Sequence, residues 1–218
     1  QFGHYILSID HVQGDPFASP SHISVHISRK DAGFPDAYSK NNLTCITLAD
    51  HLTRQFEQQI NHYSFRAKGS GKSGLISVSH CGQEILSRTA CEITSKGITA
   101  RFFIGFPANG RTINAPELEK ILFVYLPKCV EMSLYHRKVP ERETEQVICL
   151  KEDQRVIREE LKKRGLIAFV ANGSILPRQS GNSDLPMKDA VPFQSPKSME
   201  ITIQLRHRGS ITGMGIRK

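Results

Sequence analysis

The run RAKGSGKSGLISVSHCGQEIL, Arg66 to Leu86, carries the residue types that cradle phosphate: closely spaced glycines, then Lys72 and Ser73. A nucleotide-binding P-loop needs Gly-x-x-x-x-Gly-Lys-Ser/Thr after a strand and at the mouth of a helix, so that N–H groups and the helix dipole face the phosphates. Counting back from Gly71-Lys72-Ser73, the place of the first glycine is taken by Arg66. The flanks disagree as well. Leu48, Leu52, Phe56 and Ile60 recur every four residues behind Thr47 and Asp50, which are spaced like a capping box, so a helix leads into the glycines. LISVS and the segment Ile85 to Thr94 read as strands after them. The order is helix, loop, strand. Two readings of the loop stay open: a flexible connector, or a nest in which Gly69, Gly71 and Gly74 expose N–H groups while Lys68 and Lys72 add charge for an anion.

Other reactive side chains form no recognisable catalytic set. There is no Gly-x-Ser-x-Gly, no His-Glu-x-x-His and no carboxylate pair spaced for acid–base work, so no catalytic residue is assigned. His22 and His26 share a strand face near His11, but nothing is spaced to complete a metal site, and none is assigned. The 5 cysteines are scattered without a Cys-x-x-Cys pair, which excludes a disulfide framework and fits a reducing cytoplasm. A formal charge of +8 and a pI near 9.4 favour RNA, DNA or nucleotides as partners. Lys68, Lys72, Arg101, Arg111 and Arg178 are the candidate phosphate contacts; Arg178 lies in a Gly/Ser/Pro-dense loop and suits a bidentate grip.

These residues need positioning elements. HYILSID and SHISVHISRK read as strands, the latter with Ile23, Val25 and Ile27 on one face. Ile98 to Phe106 alternates after the turn Ser95-Lys96-Gly97, giving a hairpin. Asn114 can cap a helix through Leu118, Ile121, Leu122 and Tyr125, which Pro127 should break or kink. KEDQRVIREELKKR, Lys151 to Arg164, reads as a solvated helix face with i,i+4 pairs Glu159–Lys163 and Glu160–Arg164. GLIAFV reads as a short buried strand, Ala171 to Pro196 as a long loop or connector, and MEITIQLRH as a strand. The fold class is therefore α+β: a mixed, largely antiparallel sheet with several helices. No run reaches the length of a membrane span. The start at Gln1, running straight into strand-like sequence, reads as a piece of something longer.

IDHVQGDPFASPS, GSGKSG with CGQEIL, RFFIGFPANGRTI, GLIAFVANGSILPRQSG, AVPFQSP and HRGSITGMGI together resemble the N-terminal part of bacterial ATPases of the ABC class, whose relatives include a trypanosomal ATPase of the RNA-editing machinery. The resemblance covers most of the chain. It implies an N-terminal α+β domain over 1–185, then a connector and the opening strand of an ABC-type nucleotide-binding domain over 186–218, with the true P-loop beyond Lys218. The parent would use ATP and Mg; the fragment alone would need no cofactor and be inactive. Arg206, His207 and Arg208 would stand on the adenine side, where the family commonly places an aromatic residue. The partners implied are the remainder of the ATPase domain, RNA or another single-stranded nucleic acid, and a second copy in a homodimer, with no membrane. The alternative is an RNA-binding module that grips backbones without ATP.

Overall fold

The computed structural model describes residues 1–217 and divides into two compact units, Gln1–Val147 and the residues from Ile148 onward. The first unit contains β1 (Tyr5–His11), β2 (Ser21–Ser28), the short α1 (Arg29–Ala32), α2 (Asn42–Asn61), β3 (Ile76–Ser77), β4 (Cys91–Thr94) and β5 (Gly97–Ile104). A small hairpin, β6 (Ala108–Asn109) and β7 (Thr112–Ile113), then precedes α3 (Ala115–Lys120), a π-helical turn over Ile121–Tyr125, and α4 (Leu126–Leu134). Helix α5 (Glu141–Lys163) starts in this unit and ends in the next.

The main sheet runs β1-β2-β5-β3, with β4 also paired to β5, and all of these pairings are antiparallel. Strand periodicity puts Ile23, Val25 and Ile27 opposite Phe102, Ala100 and Ile98, so one face is apolar and buried. Helix α2 covers that face with Leu48, Leu52, Phe56 and Ile60, all fully buried; the rings of Phe56 and Phe102 meet at 5.0 Å. Each such side chain contributes about 1.5–3 kcal/mol of burial free energy.

Several local features differ from what the sequence predicts. The cap of α2 lies upstream: Asn41 and Thr44 form the reciprocal capping box, while Thr47 is inside the helix, donating to Leu43 O, and Asp50 is buried. The strand expected from Ile85 is confined to Cys91–Thr94, because Asp50 draws the preceding residues to α2 by accepting from Leu86 N and Arg88 Nε, both at 3.3 Å. Pro127 ends no helix. It lies at the start of α4 directly after the π turn, so the helical run continues through the proline with its regular α pattern interrupted just before the ring. Asn114 precedes α3 without a side-chain capping bond.

In the second unit, β8 (Leu166–Ala171), β9 (Glu200–Gln204) and β10 (Ser210–Arg217) form an antiparallel sheet in the order β8-β10-β9. β8 is half-exposed along its length rather than buried. The long segment between β8 and β9 folds back on itself: Gly173 N donates to Phe193 O and Phe193 N to Ser174 O, while Gln179 N reaches Leu185 O and Met187 N reaches Pro177 O. The architecture is α+β.

Candidate functional site

The glycine loop follows helix α2 and precedes strand β3, the reverse of a P-loop's order. Four of its amides are spent on the protein. Ser70 N donates to Ala108 O at 2.8 Å, Lys72 N to Pro16 O at 2.8 Å, Ser73 N to Ser70 O at 3.1 Å and Gly74 N to Gly105 O at 2.9 Å. A nest directs successive N–H groups at one anion; here each of these four finds a different carbonyl. The space freed by the absent side chains is filled in the same way. A Cβ on Gly69 would stand 2.7 Å from Ala108 O, on Gly71 2.4 Å from Pro16 O, and on Gly74 2.1 Å from Ala67 O. The glycines let the protein's own backbone close in, so the loop staples distant backbone segments together.

That staple gathers three loops. Ser73 Oγ accepts from Ala108 N and Ser70 Oγ from Gly110 N, both at 3.0 Å, tying the glycine run to the β6–β7 hairpin that carries Arg111 at its tip. The bond from Lys72 N to Pro16 O ties it to the turn at Asp15, whose Oδ1 accepts from Phe17 N and Ala18 N. Lys68, Lys72 and Arg111 thus come from linked segments, and no ion pair engages their side chains among the described residues. Lys68 N donates to Glu117 Oε2 at 3.2 Å, and the Glu117 carboxylate, held below its usual range first by the bond from Lys120, is already neutralised by that lysine. Arg101 is placed differently: on β5, it pairs with Glu92 at 2.6 Å and donates to Thr89 O at 2.8 Å. Arg178 belongs to the second unit, in a bridge to Pro186.

In the second unit, Arg206, His207 and Arg208 lie in the turn joining β9 to β10, closed by Leu205 N donating to Gly209 O at 2.6 Å. The turn is clamped by α5. Asp153, fully buried, accepts at Oδ1 from Arg206 N at 3.0 Å and His207 N at 2.9 Å, and His207 Nε2 lies 2.5 Å from Glu152 Oε2. A bond at the ring nitrogen lies in the ring plane and does not itself cover the π face. This corrects the reading of the α5 charges as a purely solvated face. Farther along, Glu160 takes both Lys163 and Arg164, which accounts for its carboxylate lying below the usual range.

Sequence reasoning missed the Glu152–Asp153 clamp, since a mixed-charge string carries no mark of which member a turn will bury. It also missed the Asp50 cluster, in which this buried carboxylate meets Arg54 at 2.8 Å and Arg88 at 3.3 Å. Phe17 and Phe65 were equally unmarked, and are 71% and 55% exposed. No group of three His, Cys, Asp or Glu side chains among the described residues is arranged to hold a metal ion. No helix among them is long and apolar enough to cross a membrane.

No curated protein matches the chain. Residues 140–218 match a family model described as a P-loop domain of ABC ATPases, a span that excludes the glycine loop at 69–74. Residues 1–137 match the model described as the N-terminal region of ATPases of the ABC class, and with that match covering most of its length the chain belongs to the ABC-class ATPase family.

Proposed function

We propose that the first unit couples nucleotide binding in the P-loop domain to a nucleic-acid partner, held through its phosphate backbone, and that this chain does not by itself hydrolyse ATP. The observation that carries the proposal is the glycine staple: it withdraws the one phosphate-like motif of the first unit from nucleotide chemistry while holding Lys72 and Arg111 on linked loops without carboxylate partners. The net charge of +8 supports the same partner class.

The family's P-loop domain uses nucleotide with Mg. Of the described residues, those at the β9–β10 turn fit the base side. The His207 ring, fixed at its edge by Glu152 and at its backbone by Asp153, would pack on adenine, with Arg206 and Arg208 beside it. Bound ATP would supply the phosphoanhydride whose hydrolysis drives the cycle; the chain's own contribution at this turn is to bind and orient the base. The β9–β10 hairpin lies inside the span matched to the P-loop domain, and the whole would act as a cytoplasmic homodimer.

A filter-binding titration with single-stranded RNA from low to physiological salt tests the nucleic-acid reading. If about four basic side chains reach phosphates, log affinity falls with log salt at a slope near about −3, and removing Arg111 reduces that slope by less than about one unit. Absence of binding even at low salt removes nucleic acid as the partner.

A further inference from the structure

The staple leaves two aromatic side chains outside the core, on the linked loops that carry the unpaired cations. Phe17 is 71% exposed at the tip of a turn fixed by two hydrogen bonds to Asp15 Oδ1. Phe65 is 55% exposed and holds φ +62°, an uncommon conformation for a bulky residue, locked by Phe65 N donating to Gly74 O at 2.6 Å. Both are anchored to one short stretch: Pro16 O accepts from Lys72 N, Phe65 N donates to Gly74 O, and the Cα atoms of Lys72 and Gly74 are at most about 7.6 Å apart. The ring of Phe17 rests beside Gly71, where a Cβ would come within 3.0 Å of its Cδ1. Here the backbone is fixed, both rings are largely exposed, and the same tied loops carry Lys72 and Arg111.

We infer that Phe17 and Phe65 are base-stacking platforms that make this loop cluster a single-strand-selective nucleic-acid site, with Lys72 and Arg111 as its phosphate contacts. The inference rests on the nucleic-acid reading above and adds to it: cations alone grip duplex and single strand alike, whereas a ring can stack only on a base that has left its helix. A preorganised pair of rings needs little ordering on binding, which is the advantage of fixing them on a staple.

The test uses the whole chain with a labelled 20-nucleotide oligo-U and a duplex of equal length. Either single variant, Phe17→Ala or Phe65→Ala, should weaken oligo-U binding by about 5- to 150-fold, the range for losing one stacked base, and the double alanine variant by more, while duplex binding and the salt slope stay unchanged because no charge is removed. Phe17→Tyr should retain the affinity. Circular dichroism and thermal melting verify that each variant is folded. The chain has 0 tryptophans, so Phe17→Trp places a lone fluorophore on the loop, whose emission should be quenched by oligo-U and not by duplex. Wild-type binding that the double alanine variant leaves within twofold overturns the stacking role and spares the nucleic-acid reading. No wild-type binding at low salt overturns both, and capture by anionic vesicles without oligonucleotide binding reassigns the patch to a lipid surface.

Discussion

Replacing Gly105 by alanine tests the staple where it is tightest. An added Cβ would lie 1.8 Å from Lys72 O and 2.8 Å from Lys72 C, backbone atoms that cannot swing aside as the end of a side chain can. The same glycine donates to Leu75 O at 2.8 Å and accepts from Gly74 N at 2.9 Å, so moving the loop away breaks both bonds. Overpacking costs about 1–3 kcal/mol and each lost hydrogen bond about 0.5–1.5 kcal/mol, giving about 2–6 kcal/mol together. That is a large share of a domain's usual stability of about 5–15 kcal/mol. Gly14→Ala supplies the control: nothing lies within 4 Å of its Cβ, and the substitution should be neutral or stabilise by about 0.4–1 kcal/mol. Urea melts of both variants, followed by far-ultraviolet circular dichroism, give the comparison. A Gly105→Ala protein within about 0.5 kcal/mol of wild type would refute the close docking of the glycine loop on the end of β5.

Three further outcomes follow from the same geometry. In the full-length protein, His207→Ala should weaken nucleotide binding by about 1 kcal/mol, or about fivefold, in calorimetry, and an unchanged affinity would remove this ring from the base side. His51 is 5% exposed, and burial lowers its pKa from 6.5, so the unfolded chain takes up the proton first; stability should fall as pH drops below about 6.5, and His51→Gln should flatten that acid limb in pH-dependent urea melts. Burial pushes the thiol of Cys91 up to about 12, so a maleimide at pH 8 should modify half-buried Cys45 well before Cys91, as mapped by peptide mass spectrometry.

What was legible in the sequence is what periodicity encodes. The alternation of Ile23, Val25 and Ile27 and the four-residue spacing of Leu48, Leu52, Phe56 and Ile60 report which face is buried, because a sheet and a covering helix repeat at fixed periods. The start of α2 was not legible: Asn41/Thr44 and Thr47/Asp50 offer the same capping spacing, and only packing decides which pair ends up inside the helix. Ile85 to Ala90 is β-branched and polar enough for a strand, yet the bonds from Leu86 and Arg88 to Asp50 pull it off the ladder. The failure of GSGKSG as a P-loop was visible in Arg66 and in the order of its flanks, but not the reason for its glycines, which is a close approach of Pro16 and Ala108 from distant parts of the chain and of Ala67 as the loop folds back on itself. Asp153 shows the same limit, since its two backbone partners are more than fifty residues away.

The central claim is that the GSGKSG loop is a backbone staple and that nucleotide is held in the P-loop domain matched from residue 140 onward. Calorimetric titration of ATP with Mg into the full-length protein, wild type against Lys72→Ala, addresses it most directly. The dissociation constants should be equal within about twofold, because the Lys72 side chain has no nucleotide to hold. A loss of about tenfold or more, about 1.4 kcal/mol, would place a phosphate at this loop and contradict the account.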